Sequence, residues 1–384
     1  LIAGVDALEV LNVDSDSFIA LQNFYNKHND WLFGYLSYDL KNEVEQLTSN
    51  NDDGIKANSL SFFIPRYVLL LKGNTLEIQS YESKGDCQQF LAYQQLNWND
   101  DSNAIQLKQR DTKAKYLEKI GVIKKHIQRG DIYEVNYCQE FFSEQVILNP
   151  QQVFLELNTN AQTPFASFLK LNDLHIMCAS PERFIRKSGN RIISQPIKGT
   201  RKRGRNLAED KILIKEFIES EKEISENVMI VDLVRNDLSI TASKASVNVK
   251  ELCGIYTFKK VHQMISTISS KVDDKINVIQ ILKSIFPMGS MTGVPKLRAM
   301  ELIEQLEEFK RGIFSGAIGY ITPKGDFDFN VVIRTILYNA STKYLSVAVG
   351  GAITIKSNAN EEYEECLIKV RPIFEVLNFQ CDEK

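Results

Sequence analysis

HIMCASPERFIRKSGNRIISQPIKGT, residues 175–200, holds three short runs of strand character and the turns between them. The runs are His175 to Ala179, Phe184 to Lys187 and Arg191 to Ile197, and Lys187-Ser188-Gly189-Asn190 is a turn signal between the last two. The turn folds those two runs into an antiparallel hairpin, with Phe184 near Ile193 and Glu182 near the Gln195–Lys198 end. A carboxyl and an amine therefore come to the same end of one hairpin. The register is open by a residue, so spacing does not decide whether they share a face. In Pro196-Ile197-Lys198-Gly199-Thr200 a proline and a glycine fix the backbone on both sides of Lys198. That suits a lysine aimed at a ligand. On spacing alone, the pair reads rather as a salt bridge at a sheet edge, normally worth little.

Outward from this hairpin the chain keeps the same character. Ala317 to Ile321, Val331 to Tyr338 and Leu345 to Val349 read as further strands, and Tyr67 to Leu71 as an apolar strand near the N-terminus. Many neighbours are joined by short polar turns, which argues antiparallel pairing. Strands and helices do not alternate regularly, which excludes a doubly wound parallel sheet. Lys113 to Arg129 is an amphipathic helix with Tyr116, Ile120, Ile123 and Ile127 on one stripe. Asp111 or Thr112 is positioned to cap it and Gly130 to end it. A helix pair covers about Leu207 to Leu238. A last helix starts near Asn360, with a kink or break expected at Pro372. The polar stretch Asn97 to Ser102 is the linker candidate between an N-terminal region, 1–100, and a catalytic region, 101–384, expected to pack as one compact unit.

A chain of 384 residues buries one large core or two moderate ones. A net charge of −3 gives no general pull toward nucleic acid or anionic membrane. No apolar run is long enough for a transmembrane helix, and the first residues lack the plan of a signal peptide, so a cytoplasmic protein is expected. The chain opens on Leu1 rather than Met, which leaves room for residues before it. Its 6 cysteines form no C-x-x-C pair and read as reduced thiols, and 4 histidines make a histidine-rich zinc site an unsuitable reading. No cysteine has the G-x-C-x-G setting of a glutamine amidotransferase nucleophile.

Further blocks stand in order over roughly residues 115–375. They are Gly130-Asp131-Ile132-Tyr133-Glu134-Val135-Asn136 through Gln139, Ser180-Pro181-Glu182-Arg183-Phe184, and Glu226-Asn227 with Val231-Asp232-Leu233-Val234-Arg235-Asn236-Asp237. Phe286 through Lys296, Gly316-Ala317-Ile318-Gly319-Tyr320, Ile333-Arg334-Thr335 and Glu365 through Lys369 follow. By these blocks the chain resembles the anthranilate synthase component I family of chorismate-using enzymes. Trp31 to Leu40 is similar to an N-terminal segment of that family. The resemblance implies an α+β fold with large antiparallel sheets packed together and helices outside. The pentapeptide around Lys198 resembles the signature of the branch that aminates chorismate at carbon 4, toward a folate precursor. Anthranilate synthases usually carry alanine at that place.

The resemblance also implies roles. Lys198 matches a nucleophile that attacks carbon 2 of chorismate, and Glu182 the acid that protonates the departing carbon 4 hydroxyl. That acid must hold its proton near neutral pH, which burial achieves by raising the pKa above about 4.3. An ordinary lysine, of pKa about 10.4, is neutral only about one part in a thousand at pH 7.4. Desolvation and the cations Arg201, Lys202, Arg203 and Arg205 would lower that pKa, although the four also read as a solvated basic turn. Glu226 and Glu365 match metal-binding glutamates, with Glu362 a lesser candidate, and Mg²⁺ is the implied cation. Gly199, Thr200, His262, Tyr320, Arg334 and Lys369 match substrate contacts. Gly350-Gly351-Ala352 resembles a glycine loop whose N–H groups approach the substrate, with Ala352 in place of the third glycine. Met288 likewise stands where the family has glycine. Ammonia is expected from a glutamine amidotransferase subunit, or free in solution. The alternative readings are anthranilate synthase component I, an isochorismate- or salicylate-forming enzyme using water, and a non-catalytic chorismate-binding subunit.

Overall fold

The computed structural model describes residues 1–92, 105–273 and 275–379. The expected linker, the boundary at residue 100 and Cys381 lie outside them.

Among the described residues, two antiparallel sheets form the body. The larger has 11 strands, in the order Ile2–Val13, Leu60–Lys72, Leu32–Leu36, Ala317–Ile321, Phe327–Val331, Arg183–Ser188, Arg191–Gln195, Val261–Lys271 and Ile197–Lys202. Asn248–Thr257 and Thr75–Ser80 add to it through Val261–Lys271 and Leu60–Lys72. The smaller, with 7 strands, runs Gly293–Val294, Glu134–Ser143, Tyr344–Ile353, Thr335–Asn339, Leu174–Ser180 and Phe165–Leu171, with Lys108–Gln109 on Glu134–Ser143.

Period-2 alternation explains why the smaller sheet is covered on both faces. Cys178, Leu337 and Ala348 enter one core, shared with Phe62, Phe184, Phe327 and Phe329 of the larger sheet. Their strand neighbours Met177, Ala179, Ile336, Tyr338, Val347 and Val349 enter a second core against helices. That second core takes Tyr116, Ile120 and Ile123 from the helix Lys113–Gln128 and Tyr363, Cys366, Val370 and Ile373 from Ala359–Val376. The fold is therefore α+β, two packed antiparallel sheets with helices outside, as the resemblance implied.

Local details differ from the sequence reading where tertiary contacts outweigh local signals. The last helix runs through Pro372 to Val376, because its apolar face stays buried on both sides of the proline. Thr112 is the cap of Lys113–Gln128, accepting from the Lys115 N–H at 3.3 Å, while Asp111 accepts from Lys119 and Tyr137. The expected strand Arg191 to Ile197 is interrupted at Pro196 and resumes as Ile197–Lys202 on the same edge of Val261–Lys271. The expected strand Val331 to Tyr338 is two strands in different sheets, and the chain crosses between them at Val332 to Arg334. A second crossing runs from Leu174–Ser180 to Arg183–Ser188 through Pro181 and Glu182. The crossings lie side by side: the Val331 N–H donates to Glu182 O and the Ala179 N–H to Arg334 O, each at 3.1 Å. Among the described residues no helix is long and apolar enough to cross a membrane.

Candidate active site

The two crossings open on a cavity of about 800 Å³, a size suited to a small-molecule ligand. Its wall combines Ile197 to Thr200 of the larger sheet, Ala348 to Ala352 of the smaller, and two helices bearing Glu226 and Glu365. Lys198, Glu182, Gly199, Thr200, Arg334, Gly350, Gly351, Ala352, Lys369, Glu226, Glu362 and Glu365 all line it. Residues distant in sequence meet here because the sheets cross at this end.

The central hairpin closes on Gly189 and Asn190, so Arg186 rather than Phe184 lies opposite Ile193. A register shift then sets Gln195 opposite Arg183. Glu182, just beyond, is buried. Burial pushes its carboxyl up to about 7, against the opposing pull of the Ser290 hydroxyl, Lys198, the Ile197 N–H and Arg334. A carboxyl so tuned holds its proton near neutrality, which is what a general acid requires. Arg334 sits with φ 52, in the left-handed region uncommon for a side-chain-bearing residue and recurrent at ligand sites.

Lys198 lies within the strand Ile197–Lys202, at a register shift between Ile197 and Thr200. Gly199 makes the shift possible. Its φ is 81, and a Cβ there would fall 2.4 Å from Glu223 Oε2 and 2.7 Å from the Phe217 ring. The Lys198 amine donates to Glu134 Oε1 at 2.6 Å, and the two residues are 7% and 1% exposed. Nothing local in the sequence gives Glu134 a role. The two are 64 residues apart, and no periodicity links them. Of the basic run after Lys198, Lys202 and Arg203 line the cavity, and two of its arginines are held by carboxylates. Arg203 pairs with Asp210, and Arg201 approaches Glu216 at 3.5 Å over the Phe217 ring.

Glu226 and Glu362 are buried, and Glu365 faces the same cavity. Burial raises the Glu226 carboxyl to about 7, opposed by Lys198 and Lys222 and reinforced by Glu134 and Glu223. Its Oε1 has no hydrogen-bond partner among the described residues, though Lys222 stands 4.0 Å away and donates to Glu362 at 3.2 Å. Burial works against the charge of Glu365, but its ion pair with Lys369, at 2.7 Å, holds it below the usual carboxylate range. Lys369 also donates to Gly350 O at 2.9 Å. Among the described residues no three acidic, histidine or cysteine side chains are already gathered as a metal cage. The donor chemistry nevertheless fits a hard divalent ion: carboxylate oxygens around one cavity, one of them orphaned.

Three expected contacts differ. His262 does not line the cavity. Its ring nitrogens meet Asp210 and Thr257, each at 2.9 Å, because alternation on Val261–Lys271 turns it away. The neighbour facing the cavity is Gln263, 1% exposed, with both amide atoms lacking a partner among the described residues. Tyr320 lies away from the cavity, packed against Trp31 and Phe33 at 5.8 Å. Gly350-Gly351-Ala352 is not a loop but part of the strand Tyr344–Ile353, opposite Cys138, Tyr137 and Asn136. The close approach that requires glycine is to this strand partner, since a Cβ at Gly350 would fall 2.4 Å from Cys138 Sγ. Behind the wall, buried Arg311 pairs with Glu307 at 2.6 Å and donates to Met291 O and Asn136 O at 2.7 Å, bracing two lining residues.

Comparison with known proteins bears on this geometry. The family model described as chorismate binding enzyme matches residues 6–375. Aminodeoxychorismate synthase component 1 of Escherichia coli (strain K12) is 33% identical over 90% of this chain and 76% of its own length. Aminodeoxychorismate synthase of Streptomyces griseus is 38% identical over 68% of this chain, which spans 36% of that longer protein. The crystal structure of anthranilate synthase component I from Streptococcus pneumoniae TIGR4 superposes with a TM-score of 0.87 at 23% identity, covering 97% of this chain and 91% of that one. At that identity the likeness speaks for the fold alone.

Proposed function

We propose that this chain, which belongs to the chorismate binding enzyme family, acts as component I of an aminodeoxychorismate synthase. Chorismate and ammonia give 4-amino-4-deoxychorismate and water, toward para-aminobenzoate and folate. One observation carries the reading: a buried amine, Lys198, and a carboxyl raised to about 7, Glu182, share one cavity wall. Lys198 bonds to carbon 2 as the double bond shifts, and the carbon 4 hydroxyl leaves with the Glu182 proton as water. Ammonia then bonds to carbon 4 and expels the lysine. An alanine at position 198 offers no such route, which weighs against the anthranilate-forming alternative.

Chorismate carries two carboxylates, and Arg334 and Lys369 are the cations suited to them. Glu226 and Glu365, with Glu362, would hold Mg²⁺, which when bound supplies positive charge to a substrate carboxylate. Gly199, Thr200 and Gln263 complete the contacts. No cysteine of residues 1–384 has the setting needed to release ammonia from glutamine, so ammonia comes from a glutamine amidotransferase or free from solution. The described free thiols suit a reducing cytoplasm. The test is the product from chorismate, ammonium and Mg²⁺. Aminodeoxychorismate is expected; anthranilate, or no turnover, overturns the reading.

A further inference from the structure

We propose that Glu134 is a catalytic residue, which takes a proton from Lys198 before the lysine attacks and returns it when the lysine leaves. The proposal deepens the reading above and rests on it. An ammonium nitrogen has no lone pair and cannot bond to carbon, so Lys198 needs a proton acceptor. Among the described residues the one group hydrogen-bonded to its amine is Glu134, at 2.6 Å. Glu134 does not line the cavity and is 1% exposed. It therefore accepts from behind the amine while the cavity side stays free for substrate.

Its backbone is pinned at this place. Glu134 pairs with Val294 across the short strand Gly293–Val294, and the neighbouring Tyr133 N–H donates to Val294 O at 2.7 Å. The second oxygen, Oε2, is buried with no hydrogen-bond partner among the described residues. A side chain needed only to hold Lys198 in place could be a neutral amide; an unsatisfied buried carboxylate oxygen is costly and leaves capacity for a proton. The charged groups acting on the pair are Glu182, Glu226 and Glu365, which feel Lys198, while Glu226 also feels Glu134.

The step balances. The Lys198 ammonium passes one proton to the Glu134 carboxylate, and its freed lone pair bonds to carbon 2. The two ring double bonds shift and the carbon 4–oxygen bond breaks. The leaving oxygen takes the Glu182 proton and departs as water, and the lysine nitrogen is now a secondary ammonium. Ammonia bonds to carbon 4, the ring double bonds shift back, the carbon 2–nitrogen bond breaks, and Lys198 departs as a neutral amine. The proton on the new carbon 4 amine returns to Glu182. The proton on Glu134 returns to Lys198, so both carboxyls are restored.

The experiment times adduct formation by intact mass, with chorismate and Mg²⁺ and without ammonia, for the wild type, Glu134→Gln and Glu134→Asp. The wild type should acquire one adduct, mapped to Lys198. Glu134→Gln, isosteric and still able to hydrogen-bond the amine, should form it roughly 10²–10⁴-fold more slowly. Relative to the wild type, whose own rate falls as Glu182 loses its proton above about 7, the Gln variant should gain about tenfold per pH unit, as solvent takes over the lysine proton. Glu134→Asp, which keeps a carboxylate, should exceed the Gln variant at least about tenfold, consistent with the size of such effects. A Gln variant near the wild-type rate overturns the proposal. So does a slow variant whose deficit against the wild type does not narrow as pH rises, or a folded Asp variant no faster than Gln. No adduct on the wild type overturns the lysine route itself, a result distinct from the failure of Glu134 alone.

Discussion

At Lys198 the chain buries an amine against the Glu134 carboxylate, and removing one partner of such a pair leaves the other without compensation. Lys198→Ala should abolish the adduct and turnover, and should also lower unfolding stability by about 3–5 kcal/mol. Lys198→Met with Glu134→Gln should recover most of that stability and none of the activity, as read by urea unfolding. Glu182 behaves differently, because its carboxyl is raised by burial from 4.5 to about 7. The folded chain holds that proton more tightly than the unfolded chain. Stability is thus greatest below about 4.5 for this group and falls as pH rises through about 7. Glu226, also raised to about 7, adds to the same slope. Unfolding of the ligand-free chain at pH 5 and pH 7.5 should show the loss, and Glu182→Gln should reduce it. The same substitution should cost roughly 10²–10⁴-fold in turnover; a variant within about twofold of wild type would make Glu182 structural. Both residues were legible in the sequence because local blocks carry them. Glu134 was not, since its role depends on one contact across 64 residues.

Among elements, the strand Ile197–Lys202 shows what local patterns reveal and where they stop. The hairpin before it was readable from its turn, because a turn is a local event. Its register was not, since the shift near Gln195 serves partners in Phe327–Val331 and Val261–Lys271. Nor was the break at Pro196, or the change of sheet at Val332 to Arg334, which hydropathy alone reads as one continuous run. The orientation of His262 failed for a related reason: one step along a strand exchanges faces, and Gln263 took the cavity side. Gly199 is the element's hinge point, with φ 81 and no room for a Cβ beside Glu223 and Phe217. Gly199→Ala should therefore destabilise by about 1–3 kcal/mol. It should also displace Lys198, seen as slower adduct formation in the fraction that remains folded. A fully active, equally stable variant would remove the strain argument.

At the scale of the whole molecule, the α+β class and the antiparallel sheets followed from turns and ordered blocks. The cavity did not, because it exists only where two sheets and two helices meet. Charge is what that meeting leaves unresolved. Glu226, Glu362 and Glu365 line one cavity, with Lys222 and Lys369 as their cations. A chorismate carboxylate brought among them adds like charge in a desolvated place, at high cost unless a cation enters with it. Mg²⁺ and chorismate should therefore each tighten the other's binding by the same factor, as linkage demands. Calorimetric titration of chorismate with and without Mg²⁺ measures that factor directly. Glu226→Ala and Glu365→Ala should each erase most of it, while shifting the unfolding midpoint far less than Lys198→Ala does. Equal chorismate affinity in both conditions, or full turnover in excess chelator, would take these glutamates out of any metal site. Their raised and paired states would then belong to the balance of charge between Lys222, Lys369 and the substrate alone.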